Sequence, residues 1–283
     1  MGELATVRQT VQVGMETTAG SAVSASKKWQ VYTVTPAIQA EVNTFRPSGA
    51  KFVTSGALGR EWIEARIEGP LDYEHIVYLL ASAMSYAAPS QQGTTTAYKW
   101  THAIAQSAED TVKTFTVEIG DSSRAGKFTY GLVREMTITL TREEATVSAT
   151  MVGQAWQDGI TMTNSPTAIP VKRVLPTQVD VFLDTTSSGI GTTKLTRAFR
   201  AELTLGERYG LVWPLNSAVN GFAAHVETPI EATLALRVEA DSSGMTPLVR
   251  LRSGDPLYVR IKATGPTIAG SYTYSLQMDM AGI

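Results

Sequence analysis

A mainly β chain, folded as a β-sandwich or partial barrel with one flanking α-helix and long loops, is predicted by three features of this sequence. First, residues 114–154 read as strand, turn, strand, turn, strand. Between 132 and 141, Leu132, Met136, Ile138 and Leu140 point one way, and Val133, Glu135, Thr137, Thr139 and Thr141 the other; the period is two rather than 3.6. Second, the alternation returns late in the chain, where Ile230, Ala232, Leu234, Leu236 and Val238 oppose Glu231, Thr233, Arg237 and Glu239. Third, helical spacing is convincing only once, at Ile76, Leu79, Leu80 and Ala83, with Asp72 placed as the N-cap.

In chain order, residues 1–28 are polar and small, with Val7, Val11 and Val13 giving a weak strand signal. Such an arm lacks a core of its own to offset its ordering entropy, so it is expected to be frayed or ordered by a neighbour. Residues 29–38 read as a strand interrupted at Pro36, and residues 42–59, with Pro47, Gly49, Gly56 and Gly59, as loop. Glu64, Arg66 and Glu68 alternate with Ile63, Ala65 and Ile67 up to Gly69-Pro70. The helix follows and is expected to lie across the sheet. Residues 87–112 read as a long polar loop, and at that length as one ordered by assembly or function. After the meander, residues 158–176 carry three prolines and read as an extended crossover. Strands are then expected at 179–184, 199–205, 230–239, 257–263 and 272–280. The organisation expected is an arm over 1–28 and a domain over 29–283, which would divide, if at all, near 155–176.

The chain has 283 residues, 43% of them hydrophobic and 18% charged, with a net charge of -2. It is long enough for a sizeable core, and its Lys and Arg are not clustered, which argues against general nucleic-acid binding. The absence of Cys excludes disulfides, thiolate nucleophiles and Cys-ligated zinc. No secretory signal is expected in the opening residues, and the longest apolar run is too short to span a bilayer as a helix.

No catalytic, cofactor or metal residue is assigned. The segment GDSSRAGKF (120–128) resembles a phosphate loop, but five residues separate its glycines and Phe128 stands where magnesium needs Ser or Thr. It reads as a hairpin loop. Gly189 and Gly191 begin a dinucleotide fingerprint that Lys194 breaks, which reads as a turn. His75, His102 and His225 lack ligand spacing and are expected on the surface or satisfied within the fold. An enzyme is not expected.

Taken together, the segments VGMETTAGSAVSASKKW (13–29), LGREWIEARIEGPLDYEHIVYLLASAM (58–84), TFTVEIGD (114–121) with the meander after it, GTTKL (191–195) and GSYTYSLQMDMAGI (270–283) resemble the major tail tube protein of long-tailed bacteriophages. The resemblance spans nearly the whole chain and rests on element order and soft patterns. It implies a virion protein, made in the bacterial host cytoplasm, whose subunits give strands to a ring-shaped β-barrel. In that family the rings are usually hexamers that stack into a hollow tube. The tube holds the tape measure protein, meets tail terminator and tail tip proteins, and passes DNA to the host without binding it specifically. No membrane partner or cofactor is implied.

The residues fit that reading on their own terms. A water-filled barrel needs roughly 16 or more strands, more than one chain of packed sheets supplies, so the pore would be shared. Ring closure would also pair sheet edges that otherwise invite aggregation. One of two faces is expected to line the lumen: Glu135, Thr137, Thr139 and Thr141, or Glu231, Thr233, Arg237 and Glu239. Residues 1–28, 43–59 and 87–112 are candidates for ring-to-ring contacts, and deletion of 1–28 is expected to leave a folded subunit that no longer polymerises. The competing readings are a β-sandwich adhesion or carbohydrate-binding module using Tyr209, Trp213 and Phe222, and a capsid decoration protein.

Overall fold

The computed structural model describes residues 9–215, 221–241 and 244–282. Val7 and the rest of 1–8 lie outside the described residues, as does Ile283. The fold is mainly β, in several sheets. Strands β1 (Thr10–Met15), β2 (Lys27–Trp29), β3 (Thr33–Phe45) and β4 (Ser55–Pro70) precede helix α1 (Ile76–Ala83). A small hairpin, β5 (Ser90–Gln91) and β6 (Tyr98–Lys99), leads to the meander β7 (Phe115–Gly120), β8 (Ala125–Thr141) and β9 (Ala145–Gly153). The crossover carries only the short β10 (Gln157–Asp158) and β11 (Thr167–Ala168). Then come β12 (Val179–Asp184), β13 (Lys194–Leu195), β14 (Ala198–Leu205), β15 (Tyr209–Val212), β16 (Ala224–Glu227) and β17 (Ala232–Val238). Helix α2 (Thr246–Ser253), β18 (Leu257–Ala269) and β19 (Tyr272–Gly282) complete the described chain.

The meander organises everything else, as its period of two predicts. The first half of β8 pairs with β7 and β10, and its second half with β9 and β14. The bend between the halves is visible in the backbone: Tyr130 has φ 59, and a bulge falls between Val133 and Glu135. A bulge inserts a residue and reverses the in-out phase of the strand beyond it. Leu132 and Val133 therefore sit opposite to the sequence expectation. Val133 joins Met136, Ile138 and Leu140 in the main core, while Leu132 faces the other way into a second, smaller cluster.

The large sheet runs β3-β4-β9-β8, and β14 and β17 continue it beyond the second half of β8. Its apolar side, with Ile63, Ala65, Ile67, Val147 and Ala149, shares one core with α1 and with the four-stranded sheet β13-β12-β18-β19, which supplies Val181, Leu183, Val259 and Ile261. Two apolar sheet faces meeting in one core make this a sandwich. Helix α1 packs on β8, and the Val133 N–H donates to Ser82 Oγ at 2.8 Å.

Three sequence expectations are corrected here. Residues 10–28 are not an arm, because β1 lies between β2 and β7 within the chain's own sheet. The buried Glu16 carboxylate locks the turn after β1: it accepts from Thr114 Oγ1 at 2.7 Å, Thr116 Oγ1 at 2.9 Å, Gly20 N–H at 2.8 Å and Tyr130 N–H at 3.0 Å. Pro36 does not interrupt a strand, and 42–59 is not mostly loop: β3 runs through Pro36 to Phe45 and pairs with β4 from Ser55. Pro36 is tolerated because β3 is an edge strand that loses no ladder bond on its outer side. Lastly, α1 is joined by a second helix, α2, whose eight residues include none that are buried; without an apolar stripe its period was not legible.

Asp72 caps the turn leading into α1, whose own N-cap is His75, so the expected capping position moves by three residues. The Asp72 Oδ1 accepts from the Glu74 and His75 N–H groups at 3.0 and 3.1 Å, and its carbonyl from the Ile76 N–H. The same oxygen lies 2.6 Å from His75 Nδ1, while Gln30 N–H donates to His75 Nε2 at 3.3 Å, so the imidazole proton sits on Nδ1. Burial pushes the Asp72 carboxyl up, but the bonds from His75 and Lys172 N–H outweigh it and hold the group below the ordinary carboxylate range. Asp184 is likewise depressed: burial opposes, and donation from Thr192, Thr193 and Gly191 wins. His102 and His225 are pushed down by burial. In all four groups the unfolded chain takes up protons at a higher pH than the folded one. Stability is expected to begin falling as pH drops through the ordinary histidine range near 6.5 and to fall again below 3.8. Melting temperature against pH checks this; a curve flat from pH 7 to 4 would contradict it.

Candidate functional site

The polar face of the large sheet gathers the residues that sequence alone placed on two separate faces. Strand β14 brings them together, because it pairs with β8 on one side and β17 on the other. Thr204 stands between Thr137 and Thr233, Glu202 between Thr139 and Ala235, and Arg200 between Thr141 and Arg237. Directly paired residues share a face of the sheet. Glu231 and Glu239 flank β17 in phase with Thr233 and Arg237. The two candidate lumen faces are therefore one, a correction that follows from a long-range pairing no local pattern reveals.

The face continues across β9, where Thr146, Ser148 and Thr150 oppose Thr139, Thr137 and Glu135, and across β4 and β3, where Glu68, Arg66, Thr33 and Thr35 extend it. Its hydroxyls bond to neighbours in the plane. Thr150 Oγ1 donates to Glu135 Oε1 at 2.7 Å, Thr137 and Thr204 hydroxyls lie 3.2 Å apart, and Thr139 Oγ1 donates to Glu202 at 3.4 Å. Arg66 pairs with Glu68 at 2.6 Å, and Arg200 pairs with Glu202. The Arg200 hydrogen bond and charge hold Glu202 below its usual range. Six carboxylates (Glu64, Glu68, Glu135, Glu202, Glu231, Glu239) stand against the guanidiniums of Arg66, Arg197, Arg200 and Arg237, Arg197 being paired with Glu239, and neither β3, β4, β9, β14, β17 nor residues 132–141 contain a lysine. Such a surface is hydrated and acid-leaning, with its cations held largely by neighbouring carboxylates.

At one end of this face the β15-β16 hairpin folds over it. Leu132 and Val152, paired across β8 and β9, pack with Tyr130, Tyr209 and Phe222, and Trp62 and Trp213 close the edge. Tyr209 and Phe222 are fully buried, so with Trp213 they form a core rather than the open aromatic cleft that sugar binding would use. Residues 216–220 lie outside the description. The hairpin is anchored by Arg208, whose guanidinium donates to the Ala83 carbonyl and to Asp110.

The look-alike motifs resolve as turns. Residues 121–124 join β7 to β8 as a hairpin, and a Cβ on Gly126 would lie 2.1 Å from the Trp156 ring, which accounts for that glycine by packing. Gly191, at φ 89, belongs to the loop whose N–H groups donate to Asp184. His75 is buried and satisfied, and His225 Nδ1 lies 3.1 Å from the Tyr130 hydroxyl. His102 departs from expectation, since its ring nitrogens are buried with only the Ser85 backbone as a polar neighbour. Among the described residues, no group of three or more His, Asp or Glu is arranged to hold a metal ion, and no helix is long and apolar enough to cross a membrane. Comparison of the sequence with protein-family models and with curated proteins finds no match.

Proposed function

We propose that this chain is a structural virion protein whose copies close into rings that stack as a hollow phage tail tube. The observation that carries the reading is the continuous hydroxyl- and carboxylate-rich face over six strands (β3, β4, β9, β8, β14, β17), backed by a full apolar core and bounded by two edges, β3 and β17, that pair on one side only. Edges of this kind invite pairing with another chain. Joining β17 of one copy to β3 of the next would extend the sheet around a ring well past the roughly 16 strands at which a barrel holds water. The polar face then lines the lumen, with Glu135, Thr137, Thr139, Thr141, Glu231, Thr233, Arg237 and Glu239 all on it.

A conduit for DNA must pass a polyanion without holding it, and a wall whose carboxylates outnumber its arginines does so by repulsion. In this reading the rings are hexamers, the lumen houses the tape measure protein, and the ends meet tail terminator and tail tip proteins. Negative-stain electron microscopy of the full chain over a concentration series tests it. Hollow rods of uniform diameter or rings with a central hole are expected; small particles alone at every concentration would overturn it.

A further inference from the structure

Strand directions place two exposed apolar patches at opposite ends of the large sheet. Strand β9 last pairs with β4 at Ile63, so the β3-β4 hairpin runs on past the sheet for eight residues to Ser55, with Trp213 lying beside its base at Arg60 and Trp62. At about 3.3 Å per residue this is a projection of about 26 Å. It carries Phe45, Phe52 and Leu58, which are 61%, 79% and 60% exposed. At the other end, where β9 begins and β8 finishes, β17 reaches Val238 opposite Ala198 and the chain passes into α2. Val249 and Leu251 on α2 are 63% and 61% exposed. Eight residues are too few for an isolated helix to be stable in water, and none of α2 is fully buried in its own subunit, Thr246, Pro247, Leu248 and Arg250 being half-buried.

We propose that the tip of this hairpin seats on α2 of a second copy of the chain stacked end to end. The proposal rests on the tube reading and names the surface at which one ring grips the next. A tip at one end and a socket at the other form a heterologous contact, and a heterologous contact repeated along an axis builds an open filament. Pairing β3 of one copy with β17 of the next around a ring also brings hairpin and α2 to the same boundary between copies. Charge separates this socket from another cleft at the same end of the sheet. The tip, residues 42–59, carries Arg46 and Lys51 and no carboxylate. The cleft of about 600 Å³ between Val171, Leu175 and Pro266 bears Lys172 and Arg173 and would repel it. Beside α2, Arg197 pairs with Glu239 and Arg250 with Asp255, and Asp241 and Arg252 complete a charge-balanced surround with no net repulsion for the tip; a cleft of about 260 Å³ opens between Leu248, Leu251 and Leu257.

Because the chain has no Cys, engineered thiols report this contact directly. The double variant Phe52→Cys, Val249→Cys is assembled and treated with a short bis-maleimide. A ladder of covalent oligomers is expected, and neither single variant should give species beyond a dimer. Leu251→Asp, at an exposed position, is expected to leave rings intact and shorten rods about tenfold or more. Tubes that form without the ladder would overturn the proposal and leave the tube reading standing. A ladder from Phe52→Cys paired with Leu175→Cys instead would move the socket to the basic cleft and overturn it equally. A wild-type chain that makes neither rings nor rods would overturn both.

Discussion

Replacing Arg208 with alanine is expected to destabilise the subunit by about 3–5 kcal/mol, the usual cost of removing one partner of a buried ion pair. The side chains of Arg208 and Asp110 are 3% and 1% exposed. Without Arg208, Asp110 would stay buried with only the Ala105 N–H donating to it, at 2.7 Å, and the Ala83 carbonyl at the end of α1 would lose the guanidinium. Three elements therefore loosen together: the helix end, the loop before β7, and the β15-β16 hairpin. Urea denaturation followed by circular dichroism measures the loss. The Asp110→Ala variant should be similarly damaged, and the double variant should lose clearly less than the two single losses summed, because the pair shares one interaction. An Arg208→Ala protein within about 1 kcal/mol of wild type would show that this pair is held by solvent rather than by burial.

Deleting residues 1–28 is expected to abolish cooperative unfolding, not merely assembly. The truncation removes β1 and all of β2 but Trp29 from the edge of β7 and takes with it Val11 and Val13, whose burial alone contributes about 3–6 kcal/mol. It also removes Glu16, so Thr114, Thr116 and the Tyr130 N–H lose their acceptor. Since a whole domain is stable by only about 5–15 kcal/mol, the remainder should be insoluble or molten, with β7 exposed as a raw edge. A sharp melting transition in the truncated protein would contradict this. It would mean that the interface of β1 with β7 adds little to the fold.

What could be read from the residues alone divides along a physical line. The meander, β12, β17, β18 and β19 were legible because each has one wet and one dry side, and such strands show their period locally. The β3-β4 hairpin was misread because Gly and Pro are common in loops and equally at home on an exposed edge, and the residues themselves do not say which. The bulge at Val133 was invisible, since one extra residue leaves composition unchanged while reversing a face. The buried carboxylates Glu16, Asp110 and Asp184 looked like any surface acids, and Asp72 was legible only as a local cap; their partners lie up to 114 residues away in the chain. At the candidate site, the side of the strand was correctly set from Glu135 onward, but the members of the face on β14, β9, β4 and β3 were not among the candidates. That two such faces are one depends on β14 pairing with both β8 and β17, a relation stored in no local stretch.

The central claim, that this face lines a lumen, is tested most directly by labelling Thr233→Cys with biotin and asking whether streptavidin can reach it before and after assembly. Thr233 is exposed in the subunit, so binding is expected on dispersed protein. On assembled rods the expected result is loss of binding along the length, with label only at open ends. Streptavidin decorating the sides of the rods would put the polar face on the outside and contradict the account.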